Sequence, residues 1–343
     1  MRSLFSAILL AAILASLADR SLLAWSIVRS VAFLGCAFLV RPQNASLPFC
    51  LLAACASVAV SGLAGLDLAI ACLAFACINP RLLSLAALCA AVGIVGALSL
   101  AYQHWDPHWT IPLFPFHNRN HYAVFCELSL PLLVYAWRRA RNPYYLASAA
   151  ILLIAALAAG SRAGAILLIA EAVILAGRRN LLLSIPAVAL AASLFVLASG
   201  SQRIGNPLEG DHRLEIWRST IEMIRERPLT GWGVGEFTRI YPAYASFDNG
   251  QFVNAAHSDW LEWASEFGVP ATLASLVLIL RWLRKSFHFY PSWGILVGAL
   301  HALVDFPFHL PGLLVFAAAL AGSIQAHGAT NKTQSSDPQG RHP

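Results

Sequence analysis

Three ionisable residues stand out for where they fall in the apolar pattern: Arg162, Arg213 and His257. Asp211 to Arg227 reads as an amphipathic helix, with Asp211 able to cap its start and Pro228 marking its end. At about 100° per residue, Leu214, Trp217, Ile221 and Ile224 share one arc, and Glu215, Arg218, Glu222, Arg225 and Glu226 lie opposite. Arg213 breaks the rule by projecting onto the edge of the apolar arc. A guanidinium there needs an anionic or hydrogen-bonding partner, since an unpaired buried charge is costly. The alternative is a terminal arginine snorkelling off the first turn.

His257 opens the next apolar segment. A helix beginning near Ala256 puts Asp259, Glu262 and Glu266 on one face and His257 on the other. Divergence of these side chains argues against a metal site made with His257. On its own, a histidine at a helix start is more often structural than catalytic.

Other residues offer chemistry with a plainer reading beside it. Asn118-Arg119-Asn120-His121 either caps a helix or binds a ligand. Arg29 lies inside an apolar run, where snorkelling accounts for it. Glu127 and Glu171 sit within apolar helices as interior pairing residues, with no partner assignable from sequence. His301 and Asp305 are four apart on one helical face and His309 follows, a pattern open to a metal site or to a helix-end hydrogen bond. Gly231-Trp232-Gly233-Val234-Gly235 follows a helix and not a strand, so it is no dinucleotide fingerprint. It reads as a turn with backbone N–H groups able to meet phosphate.

The elements that must position these residues are membrane helices. Of 343 residues, 58% are hydrophobic and 12% charged, about half the charge of a soluble domain. The net charge of +6 comes in small basic clusters between apolar runs, which marks topology determinants and not a nucleic-acid surface. Seven cysteines lie in or beside apolar runs without a C-x-x-C pair, so they imply neither a disulfide framework nor a metal knuckle. The first apolar run, to Ala18, is expected to be an uncleaved helix.

Apolar runs predict an all-α transmembrane bundle of about twelve helices, near 4–18, 21–40, 48–60, 63–78, 82–102, 119–137, 144–160, 162–176, 181–199, 259–280, 291–306 and 310–326. Basic residues at Arg41, Arg81, 138–141, Arg178-Arg179 and 281–285 are separated by even numbers of these helices. One assignment therefore satisfies all of them, with these loops and both termini cytoplasmic. The polar clusters at 103–120, 160–162, 200–256 and 305–309 then share the opposite face. Arg162 follows Gly160-Ser161 in a very short turn between two apolar helices, which holds it close to the bundle. The tail after Gln325 is polar and is expected to lack structure.

In their order, the motifs resemble those of one family. Asn118-x-Asn120-His121, Ser161-Arg162-Ala163-Gly164, Arg213-x3-Trp217, Arg227-Pro228-Leu229-Thr230-Gly231-Trp232-Gly233-x-Gly235-x-Phe237, His257-Ser258-Asp259-x-Leu261-x4-Glu266-Phe267-Gly268 and His301-x3-Asp305-Phe306 are similar to those of the O-antigen ligase and polymerase superfamily of bacterial envelopes. The resemblance implies three parts: N-terminal transmembrane helices (1–117), a ligase-like core (118–326) with a periplasmic loop (200–258), and a disordered cytoplasmic tail (327–343). It also implies a GT-C-like inner-membrane glycosyltransferase with its site on the periplasmic side. The expected reaction moves a glycan from an undecaprenyl diphosphate carrier to an acceptor hydroxyl on lipid, growing polysaccharide or protein, with no cofactor, metal or nucleic acid. Carried over by position, the family's loop histidine falls on His257 as the catalytic residue, and its two arginines fall on Arg162 and Arg213 as diphosphate ligands. Asn118, Asn120, His301 and Asp305 are further substrate-binding candidates.

Ligase, polymerase and protein oligosaccharyltransferase are not separated by these motifs, because acceptor choice sits in loop surfaces. A flippase or transporter for a lipid-linked sugar would also have twelve helices, with internal repeats and ionisable groups near the bilayer midplane.

Overall fold

A computed structural model describes residues 70–72, 74–75, 81–106, 113–177, 212–247, 250 and 252–335. These residues are helical, with no strand among them. The helices are α1 (Leu82–Trp105), α2 (Arg119–Ala140), α3 (Pro143–Ala158), α4 (Arg162–Ala176), α5 (Arg213–Glu226), α6 (Phe237–Ile240), α7 (Asp259–Phe267), α8 (Val269–Ser286), α9 (Ser292–His301) and α10 (Pro311–Ser335). Short 3-10 turns occupy Tyr241–Ala243 and Pro307–His309.

The bundle is organised around α2, which packs on α1, α3, α4, α9 and α10. Residues 121 to 133 of α2 are all buried, the pattern of a helix apolar on every side and enclosed by others. Phe125 packs between Phe116 and Phe316, at ring-centre distances of 5.2 and 5.5 Å. Starts and stops follow local chemistry. Asn118 caps α2 and Asn142 caps α3 ahead of Pro143, while Ser161 caps α4 by accepting from the Gly164 N–H at 3.2 Å.

Alternating directions give the bundle two ends. At one end Arg138 donates to the Leu175 carbonyl at the close of α4 and lies over the Tyr290 ring, so the basic residues of α2 meet orphan carbonyls there. The starts of α2 and α4 and the close of α9 lie at the other end.

Two described helices, Leu82–Trp105 and Pro311–Gly328 within α10, are long and apolar enough to cross a membrane, and Pro143–Ala158 and Ser292–His301 are shorter apolar helices. The helices expected at 4–18, 21–40, 48–60 and 181–199, most of 63–78, and the capping residue Asp211 lie outside the described residues. Two expectations change. The run expected as one helix over 259–280 is divided at Gly268, so α7 belongs to the polar loop and the apolar span begins at Val269. The run at 310–326 continues to Ser335, through the first part of the tail expected to lack structure.

Candidate active site

The polar loop folds into a small unit of its own, with Ile216, Met223, Phe237, Tyr241 and Ala256 buried together. Its closure comes from the Arg227-to-Phe237 motif, which locks onto the end of α7. The Trp232 N–H donates to Ser265 O at 2.8 Å, the Gly233 N–H to Glu266 O at 3.0 Å, and the Val269 N–H to Pro228 O at 2.8 Å. Arg227 lies 4.0 Å over the Trp232 ring, whose indole N–H donates to Met223 O. Gly231 (φ +64°) and Gly268 (φ +84°) face each other's strands of this lock. A Cβ on Gly231 would come 2.3 Å from Glu266 O, and one on Gly268 would come 2.3 Å from Leu229 O.

The phosphate-binding reading of the glycine turn is corrected here. The Gly235 and Phe237 N–H groups donate to the Glu266 carboxylate at 2.8 and 3.4 Å, so a side chain of the protein already takes the anion's place. Gly268→Ala is expected to destabilise the loop by roughly 1–3 kcal/mol through left-handed strain and the carbonyl clash. Faster proteolysis within 212–268 at unchanged bundle helicity would report it.

The loop unit docks on the turn that ends α9. The Asp259 N–H donates to the carbonyls of Ala302 and Asp305, both at 3.0 Å, and the Trp260 indole N–H donates to Ala299 O at 3.0 Å. Arg213 donates to Val304 O in the same turn, so its guanidinium is held by a peptide carbonyl instead of snorkelling away. Trp217, one turn further along α5, donates to Ala256 O at 3.0 Å, which places His257 beside this helix.

His257 adopts the left-handed conformation at φ +52°, uncommon for a residue with a Cβ. Its ring meets Phe306 edge-on at 5.2 Å, and His121 meets the same Phe306 at 5.3 Å. Phe306 thus joins α2, the loop and the α9 turn. The edge-on contacts of Phe306 with His257 and His121 were not legible in the sequence, where Phe306 and His121 are only members of longer motifs.

Asn118 Oδ1 accepts from the Asn120 N–H at 2.8 Å, so the capping role is realised, and both residues are half-buried at the mouth of α2. Arg162 is exposed in the first turn of α4. That turn packs on α2, where a Cβ on Gly164 would come 2.4 Å from the Ala123 Cβ. A cation in a helix's first turn opposes the macrodipole, so Arg162 is not there to stabilise α4. His301 and Asp305 are both buried. His301 Nδ1 meets Glu127 Oε1 at 2.7 Å, which supplies the partner for Glu127 that the sequence could not name.

Asp259, Glu262 and Glu266 share one face of α7 and surround His309, and Glu262 Oε2 also accepts from the N–H of Ala256, the neighbour of His257, at 2.7 Å. His309 Nδ1 meets Asp259 Oδ1 at 2.5 Å, and its Nε2 lies 3.2 Å from Glu262 Oε1 and 3.9 Å from Glu266 Oε2. Glu262, Glu266 and His309 offer ligand atoms within 4.8 Å of one another, a spacing that could hold a metal ion. The imidazole already faces carboxylates through both nitrogens, and as imidazolium it supplies the positive charge itself.

Burial pushes Glu262 up to about 7 against the opposing charge of His309. Burial alone would lower His309, but the Glu262 charge and hydrogen bonds to Asp259 and Glu266 outweigh it and hold the imidazole well above its usual range. Both shifts are upward, so the folded cluster binds more protons than the unfolded chain. Its stabilising contribution is therefore greatest in mild acid and falls as pH rises, for Glu262 between the ordinary carboxylate range and about 7. Amide exchange of 256–268 is expected to quicken over that window, and Glu262→Gln should flatten the dependence.

Among the described residues the architecture is all-helical, with two helices long and apolar enough to cross a membrane and a folded polar loop seated on one end of the bundle. The O-antigen ligase family model matches residues 147–276, so that stretch is similar to the family's domain. At family level the match supports an O-antigen ligase- or polymerase-like function. The match includes Arg162, Arg213 and His257, while Asn118, Asn120, His301 and Asp305 lie outside it. No curated protein matches the chain.

Proposed function

We propose that this protein transfers a glycan from undecaprenyl diphosphate to an acceptor hydroxyl at the periplasmic face of the bacterial inner membrane, within a GT-C-like bundle of about twelve helices. The observation that best supports this reading is convergence. Arg213 and His257 come from different parts of the loop to the same turn after α9, at the bundle end where α4 presents Arg162.

In this reading the two guanidiniums hold the diphosphate, matching its oxygens in pairs and staying charged at any working pH. His257 takes the proton of the acceptor hydroxyl as that oxygen attacks the anomeric carbon, and the lipid diphosphate leaves with the electrons of the broken C–O bond. Asn118 and Asn120 form the rim for substrate at the mouth of α2. Asp305 and His301 support the wall from inside. Charge stabilisation by arginine lets the transfer proceed without a metal.

Deleting the gene and analysing surface glycans tests the reading. Lost polymerisation, lost attachment to lipid and lost protein glycosylation leave different products, and unchanged glycans under all growth conditions would refute it. Reporter fusions after Arg141, Arg179 and Lys285 are expected to read cytoplasm and one at Asn249 periplasm. A cytoplasmic Asn249 would separate the loop from a periplasmic donor and overturn the shared face.

A further inference from the structure

Glycan transfer as proposed makes no direct use of three ionisable side chains sealed between the helices. Glu127 on α2, Glu171 on α4 and His301 on α9 are 0%, 1% and 0% exposed. Because α2 packs against both α4 and α9, Glu127 stands between the other two. His301 Nδ1 and Glu127 Oε1 satisfy each other at 2.7 Å. Glu127 Oε2, His301 Nε2 and both oxygens of Glu171 have no hydrogen-bond partner among the described residues. The two carboxyl groups also lie within electrostatic reach of each other.

An ionised carboxylate with no donor on either oxygen, enclosed by apolar helices, is costly enough that the group takes up a proton instead. Two carboxylates with one neutral imidazole would carry two negative charges, and two protons cancel them. We propose that Glu171, Glu127 and His301 form a proton-binding site inside the bundle, with one proton held on Glu171 as the neutral acid and a second shared in the Glu127–His301 pair. No covalent bond is made or broken beyond the O–H and N–H bonds that carry these protons.

The route to the polar end runs through Asp305. It is buried one helical turn beyond His301, its N–H donates to His301 O at 3.1 Å, and its Oδ2 has no partner among the described residues. Loss of the Glu171 proton would set two carboxylates against each other across α2 and α4. The Glu127–His301 bond would pass that strain to the turn that holds Arg213 and Asp259. The site thus links the protonation state of the bundle interior to the geometry of the loop.

Infrared spectroscopy of the purified full-length protein in lipid nanodiscs tests this without any turnover. A protonated-carboxyl C=O band is expected at neutral pH, shifted in D2O and lost in Glu171→Gln. In parallel, a lipid-soluble carbodiimide adds across the O–H of a protonated acid in an apolar phase, and mass spectrometry is expected to find the adduct on the α4 peptide. Glu171→Gln, an isostere of the neutral acid, should retain the wild-type thermal midpoint and remove the alkaline fall from any pH profile of transfer. The proposal is overturned if the infrared band is absent at neutral pH or survives in Glu171→Gln. Sodium that abolishes both the band and the adduct would assign the site to a metal cation and overturn the proton.

Discussion

Replacing His257 with alanine is expected to cut glycan transfer by roughly 10²- to 10⁴-fold while leaving binding of the lipid diphosphate donor nearly unchanged. The reason is where the imidazole sits. It is held in a left-handed backbone conformation beside Phe306, at the turn after α9 that also binds Arg213. A group that acts on the acceptor proton contributes in the transition state and little to donor affinity. Single-turnover rates beside equilibrium donor binding separate the two quantities. Unchanged turnover would make the chain a non-catalytic assembly subunit, and donor binding lost in His257→Ala but intact in both arginine variants would reverse the assigned roles. EDTA should leave the rate unaltered, and transfer that chelation stops and a divalent ion restores would place a metal in the reaction.

The arginines should fail differently. Arg213→Lys and Arg162→Lys keep the charge but replace a planar fork with a point ammonium, so a two-bond contact to phosphate becomes a one-bond contact. Each lost charge-assisted bond is worth about 1.5–3 kcal/mol, so donor affinity should fall roughly 10- to 100-fold, with turnover falling as well. The diphosphate is charged in the ground state, which is why binding suffers here and not in His257→Ala. For Arg213 a second loss is expected. Its bond to Val304 O ties α5 to the α9 turn, so the loop of Arg213→Lys should also show faster amide exchange around 212–217. Arg162 is exposed on α4, and its substitution should leave the fold untouched. Donor binding that survives both changes would remove the diphosphate from this end of the bundle.

For the described helices, existence was legible from local pattern alone. Apolar runs are properties of short stretches, and α4 begins and ends where the sequence places it, at Arg162 and Ala176. The 3.6-residue period likewise sent Arg213 toward the packing surface, and the structure keeps that arrangement. What periodicity cannot supply is the identity of the group on the other side. That the partner of Arg213 is the Val304 carbonyl, that Glu127 meets His301 across 174 positions, and that Glu266 fills the glycine turn's N–H groups depend on how separate helices come together. The break at Gly268 belongs to the same category. An apolar count runs straight through it, whereas the docking of Leu229 against Gly268 leaves no room for a side chain and turns the backbone there.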